Sequence, residues 1–139
     1  MTRVHIAAAG RLREPYWMAA CEEYRKRLRA FCALSERECP DGEDPPVPGG
    51  FFPVALHSGG GMLTSEAFAE TLAGWQTTGV SRIAFCIGGS EGLSAAYIQK
   101  AGFALSLSRM TWPHHMARAM LLEQLYRAFT ILRGGKYHK

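Results

Sequence analysis

The sequence predicts an α/β fold on a mainly parallel sheet, and three observations carry that expectation. Short apolar runs of strand length alternate with stretches of helical spacing along the chain. One run, Ile83-Ala84-Phe85-Cys86-Ile87, is apolar without a break, which suits a strand covered on both faces. The third is Leu105 to Leu132, which reads as strand, tight turn and long amphipathic helix. At 139 residues the default is one domain over 1–139, long enough to bury one substantial core.

Each element follows from local chemistry. Val4 to Ala9 reads as a first strand ending at Gly10, and His5 within it as an ordinary strand residue. Pro15 opens a helix to about Phe31, whose buried stripe is expected at Tyr16, Ala20, Tyr24 and Leu28. Arg25, Lys26, Arg27 and Arg29 crowd its second half, either as a solvated face or as a phosphate-contacting patch. Leu34 to Cys39 is a weak, polar strand candidate. From Pro40 to Gly50, four prolines and three glycines exclude helix interior and central strand, so a loop tolerant of replacement is expected. Phe51 to Leu56 is the next strand, broken at Gly59-Gly60-Gly61. Ser65 and Glu66 start a helix with Phe68, Leu72 and Trp75 inward, ended by Gly79. After Ile83 to Ile87, Ser94 can cap a helix over Ala95 to Ala101.

The final unit runs as a strand from Leu105 to Met110, with Thr111 as a cap and Pro113 suited to a first helical turn. Ala117, Leu121, Leu125, Ala128 and Leu132 form the helix stripe, and Glu123 sits four residues before Arg127. Gly134-Gly135 stops the helix and leaves the tail Lys136-Tyr137-His138-Lys139.

Composition narrows the classes. The four cysteines form no C-x-x-C, and no histidine stands at zinc-ligand spacing, so no metal is expected. No signal-like leader or apolar run of membrane-spanning length occurs, which predicts no membrane partner and a cytoplasmic protein with reduced thiols. The formal charge of +4 fits an anionic partner such as RNA without specifying one. A strand running into Gly88-Gly89 is a common way to bring backbone against a ligand. The glycine spacing does not fit a dinucleotide fingerprint, and no P-loop lysine follows.

The runs Met110-Thr111-Trp112-Pro113-His114 and Glu123-Gln124-Leu125-Tyr126-Arg127-Ala128 resemble the C-terminal signature of the RlmH family. So do Tyr137-His138-Lys139 and Ile87-Gly88-Gly89-Ser90-Glu91-Gly92-Leu93. The likeness is close from about Val54 onward, recognisable from Val4 to about Cys39, and poor between. That family comprises SPOUT-class methyltransferases acting on pseudouridine in large-subunit ribosomal RNA. The resemblance implies a C-terminal trefoil knot, a homodimer, and S-adenosyl-L-methionine bound by Leu56, Gly88, Leu107, Ser108, Arg109, Met110, Thr111 and Trp112. A side chain at Gly88 is then expected to collide with that ligand.

The resemblance also implies loss of the N3 proton of a pseudouridine, which a general base or a cation can assist. The candidates are His114, Arg127, Tyr137 and His138, with the tail completing the active site across the dimer. His114 has an alternative as an inert first-turn histidine, Arg127 as a helix salt bridge with Glu123, and the tail as a frayed basic terminus. Glu91 reads as a surface turn residue. Two departures stand out: His57 replaces a usual acidic residue, and the Pro40 to Gly50 loop replaces a family helix. Two other readings remain, a non-catalytic RNA- or ribosome-binding module on the same fold and an unrelated nucleotide-binding α/β domain.

Overall fold

A computed structural model describes every residue from Met1 to Lys139. Nine elements follow in order: β1 (Arg3–Ala9), α1 (Pro15–Leu28), β2 (Ala33–Cys39), β3 (Phe52–Met62), α2 (Ser65–Thr77), β4 (Arg82–Ile87), α3 (Ala95–Lys100), β5 (Phe103–Ser106) and α4 (His114–Leu132). The strands form one sheet in the order β2-β1-β4-β3-β5, and every neighbouring pair is parallel. The α/β, parallel-sheet expectation holds. No helix is long and apolar enough to cross a membrane.

The period-2 alternation of each strand divides the core in two. Val4, Ile6 and Ala8 of β1 and Ile83, Phe85 and Ile87 of β4 face one side, where they meet Leu28 of α1, Phe68 and Leu72 of α2, and Leu121, Leu122 and Leu125 of α4. Both α1 and α2 pack against α4, so the last helix is the centre of that layer. The opposite face carries the small side chains Ala7, Ala84 and Cys86. Val47, Phe51, Leu93 and Tyr97 cover it, so half of this lid comes from the Pro/Gly loop and the residue after it. Burial on both faces explains why β4 reads as one uninterrupted apolar run. Edge position explains the opposite case of β2, whose Glu36, Arg37 and Glu38 keep a sheet edge charged.

Several expectations change in detail. Helix α1 ends at Leu28 rather than Phe31, and Tyr16 is 65% exposed. Its inward stripe is instead Trp17, Ala20, Cys21, Tyr24 and Leu28. Arg25 pairs with Glu36, Arg27 with Glu23 at 2.7 Å, and Arg29 lies 3.8 Å from Glu22, so these three arginines are already partnered by carboxylates. The glycine triplet does not break β3. Pairing with β5 shifts register between Leu56 and Gly61 and then resumes, and a Cβ on Gly60 would stand 2.7 Å from the Ala104 carbonyl. Absence of a side chain is what lets the two backbones approach.

The last strand spans Phe103–Ser106, earlier and shorter than Leu105 to Met110. Of the two alternating serines, Ser106 ends the strand and Ser108 turns the chain. Ser106 Oγ lies 3.0 Å from the Ser58 carbonyl and 3.1 Å from that of Ser108, and Ser108 Oγ accepts the Met110 N–H at 3.0 Å. Thr111 caps nothing: Pro113 is the residue before α4, and no side chain caps that helix. Ser94 does cap α3, accepting the Tyr97 N–H at 3.2 Å.

The segment from Pro40 to Gly50 is irregular, as expected, but it is not a free linker. Asp41 bonds to Ser90, Asp44 bonds to Ser94, and the Tyr97 hydroxyl donates to the Pro45 carbonyl at 2.6 Å. These contacts argue against the expected tolerance of replacement. Pairings across some fifty positions of sequence leave no local pattern to read.

Candidate active site

The residues expected to hold a cofactor converge. Leu56, Gly88, Leu107, Ser108, Met110, Thr111 and Trp112 all line one cleft of about 800 Å³, together with Ile87, Leu93 and His114. It lies where parallel strands deliver their carboxyl ends, the usual ligand position in such sheets. The volume falls within the range of ligand pockets. Arg109 is the exception: its Nη1 donates to the Ser58 carbonyl at 3.1 Å, so it braces the β3 bulge instead of lining the cleft. His57 lines it too.

The floor turn is Gly89 to Gly92, closed by the Gly92 N–H donating to the Gly89 carbonyl at 3.0 Å. Gly92 adopts a φ of 75°, which a residue with a Cβ rarely takes. Gly88 is needed by the loop itself. A Cβ there would run into the backbone of Gly92 and Leu93. A side chain at Gly88 therefore disturbs the protein's own loop before any ligand is considered.

His114 stands at the first position of α4 and closes one side of the cleft. Its imidazole packs against Gly10, where a Cβ would lie 3.0 Å from Nε2, and its ring centroid is 4.2 Å from that of His115. Burial pushes its pKa below the ordinary imidazole value, and the neighbouring His115 adds to this, while Asp41 opposes it. His114 is therefore neutral at pH 7 and able to accept a proton.

Beneath it lies a charged network that sequence reasoning missed. His115 Nδ1 meets Glu14 Oε1 at 2.7 Å. The buried guanidinium of Arg118 bonds to Glu38 and to the Gly10 carbonyl. Glu38 also accepts the Leu12 N–H at 2.9 Å. Arg118 sits among apolar neighbours on α4, and Glu38 on an edge strand, so neither announces its partner. A charge on an otherwise apolar helix stripe was the one available signal.

The other three candidates gather elsewhere. Arg127 donates from Nε and Nη2 to Glu123 Oε2 at 3.1 and 2.7 Å, and its Nη1 lies 3.0 Å from His138 Nδ1. The Tyr137 hydroxyl donates to the same carboxylate oxygen at 2.7 Å and lies 3.2 Å from that of Tyr24. Burial, reinforced by the Tyr24 and Glu123 contacts, raises the Tyr137 pKa. The tail is thus docked rather than frayed. From His114 to Arg127 along α4 is roughly 20 Å at 1.5 Å per residue, so one chain does not bring the four together. No group of three or more His, Cys, Asp or Glu is placed to hold a metal ion.

Comparison with known proteins adds a family. The sequence model described as "Predicted SPOUT methyltransferase" matches residues 2–138. A protein of Moorella thermoacetica named Ribosomal RNA large subunit methyltransferase H is 41% identical, with 100% of both chains covered. One of the same name from Clostridium botulinum (strain Okra / Type B1) is 38% identical over 98% of this chain and 99% of its own length. Among solved structures, a probable methylase family protein from Haemophilus influenzae Rd KW20 superposes with a TM-score of 0.61. It covers 98% of this chain and 70% of its own at 11% identity, a likeness of fold alone.

Proposed function

The chain belongs to the SPOUT methyltransferase family, and from that premise we propose that it methylates N3 of a pseudouridine in large-subunit ribosomal RNA. The names of its relatives support the RNA class. The single observation that carries the reading is the convergence of Leu56, Gly88 and the Leu107 to Trp112 segment on one cleft ending at His114. S-adenosyl-L-methionine fits that cleft: apolar Leu56, Ile87, Leu107 and Trp112 suit an adenine, and the glycine turn presents backbone to its edge. When bound, it supplies a methyl group carried on a sulfonium.

The protein's own share is alignment, exclusion of water and a destination for the N3 proton. Neutral His114 can take that proton. Arg127, Tyr137 and His138 serve the cleft of a second copy, because the length of α4 separates them from their own. This makes the homodimer part of the chemistry, with cation and phenol available to the RNA. The reading includes one domain over 1–139, a trefoil knot at the C-terminal segment, and a cytoplasmic enzyme working on ribosomes.

Nucleoside analysis of ribosomal RNA tests it. Cells in which this gene alone is deleted should lose N3-methylpseudouridine from the large subunit and regain it with the gene supplied. Retention of the mark in the deletion favours a non-catalytic binding module on the same fold.

A further inference from the structure

Asp41 stands in the irregular segment after β2, outside the cleft, yet it reaches the cleft wall. Its Oδ1 accepts the Ser90 N–H at 2.9 Å and its Oδ2 accepts the Ser90 hydroxyl at 2.8 Å. Both bonds end on the middle of the Gly89 to Gly92 turn, and Ser90 lines the cleft. The carboxylate lies directly over Gly89, in the space that a Cβ there would fill. Gly89 has no positive φ, so the reason for glycine at this position is room for Asp41 rather than backbone conformation. The Ser90 contacts hold the Asp41 carboxyl below the usual carboxylate range, so it is charged at neutral pH and both bonds are charge-assisted.

We propose that Asp41 is a positioning residue that fixes the Gly88 to Leu93 wall in its ligand-binding shape, which makes the Pro/Gly loop a working part of the cleft. The proposal rests on the reading of the cleft as the S-adenosyl-L-methionine site. A second strap, Asp44 to Ser94, is built the same way at 3.0 Å to the backbone N–H, but it ends at the α3 cap, beyond the turn. The two straps differ in place and not in chemistry, so Asp44 is the internal control.

The test is calorimetric titration of the full-length protein with S-adenosyl-L-methionine, with amide exchange at Ser90 followed in parallel. Asp41→Ala should weaken binding about tenfold, the worth of one or two net hydrogen bonds, and speed exchange at Ser90. Asp41→Asn can still accept from the Ser90 N–H and donate to its hydroxyl, so it should stay within about threefold of the parent. Asp44→Ala should lose thermal stability comparably while binding within about threefold of the parent. Gly89→Ala should displace the carboxylate and weaken binding as Asp41→Ala does. The double variant Asp41→Ala with Gly89→Ala should bind no worse than either single one. Should Asp41→Ala fail to fold, Gly89→Ala and Asp41→Asn carry the same comparison.

Unchanged affinity in Asp41→Ala or Gly89→Ala overturns the proposal. So do additive losses in the double variant, which would mean that the new methyl strikes the ligand itself, and an Asp44→Ala loss as large as that of Asp41→Ala. A parent protein that fails to bind S-adenosyl-L-methionine overturns the reading of the cleft, and is distinguishable because no variant is needed to see it.

Discussion

Arg118 and Glu38 meet at 2.7 Å, Nη1 to Oε2, and tie the cleft-side end of α4 to the edge strand β2. The Arg118 side chain is 3% exposed and that of Glu38 37%. Removing the carboxylate would strand a buried charge. A fully buried pair costs roughly 3–5 kcal/mol to break, and Glu38 still touches water, so Glu38→Ala should lose about 2 kcal/mol in urea unfolding. Burial raises the Glu38 pKa, but the Leu12 N–H and Arg118 outweigh it, and the net shift is downward. A depressed folded-state pKa gives stability that is present above the ordinary glutamate value and lost as pH falls through the folded one. The parent should therefore lose stability with acid below about pH 4.5 more steeply than Glu38→Ala. Parallel acid profiles would show that the pair contributes nothing.

Replacing Pro40 to Gly50 by a Gly/Ser linker should destabilise the protein. The swap removes the Asp41 and Asp44 straps, the Pro45 acceptor and Val47 over the small-residue face. The part-buried Tyr97–Pro45 bond and the Val47 side chain alone amount to about 1–3 kcal/mol. An unchanged thermal midpoint would return this segment to the status of a spacer.

His114 predicts a pH profile. If it accepts the N3 proton, kcat/KM for methyl transfer should fall on the acid side with a midpoint below 6.5, because burial and His115 hold its pKa down. Substitution by Asn should remove that limb and lower the rate about a hundredfold or more, the usual worth of a positioned base. An acid limb retained in the Asn variant would assign the proton to another group.

Deletion of Tyr137 to Lys139 should leave dimerisation and S-adenosyl-L-methionine affinity within a few-fold of the parent while abolishing methyl transfer. Arg127 and Glu123 keep each other without the tail, so the loss of stability should be about 1 kcal/mol, set by the Tyr137 bonds to Glu123 and Tyr24. Sedimentation, titration and transfer on one preparation decide it. Full transfer activity would remove the tail from the chemistry.

What could be read from the sequence followed the range of the interactions involved. β4 announces itself because burial on both faces is written into five consecutive residues, and α3 because its Ser94 cap is local; for α2 the sequence suggests a start at Ser65, while the cap is Thr64. The end of β5 is hard to read because Ser106, on the strand, and Ser108, turning the chain, look alike in sequence. The cleft lining was supplied by family resemblance rather than by pattern. Asp41, Glu38 and Arg118 stayed hidden because each has its partner many tens of residues away. Gly88 reads from sequence as a position that excludes a side chain, and the structure adds the backbone of Gly92 and Leu93 to what a side chain there would meet.

The most direct test of the account is transfer of a labelled methyl group from S-adenosyl-L-methionine to purified ribosomes that lack the pseudouridine N3 mark. Label should appear on one pseudouridine of large-subunit RNA, dependent on His114 and on the tail. Absence of transfer by a dimer that binds S-adenosyl-L-methionine, given both free large subunits and assembled ribosomes, would contradict it.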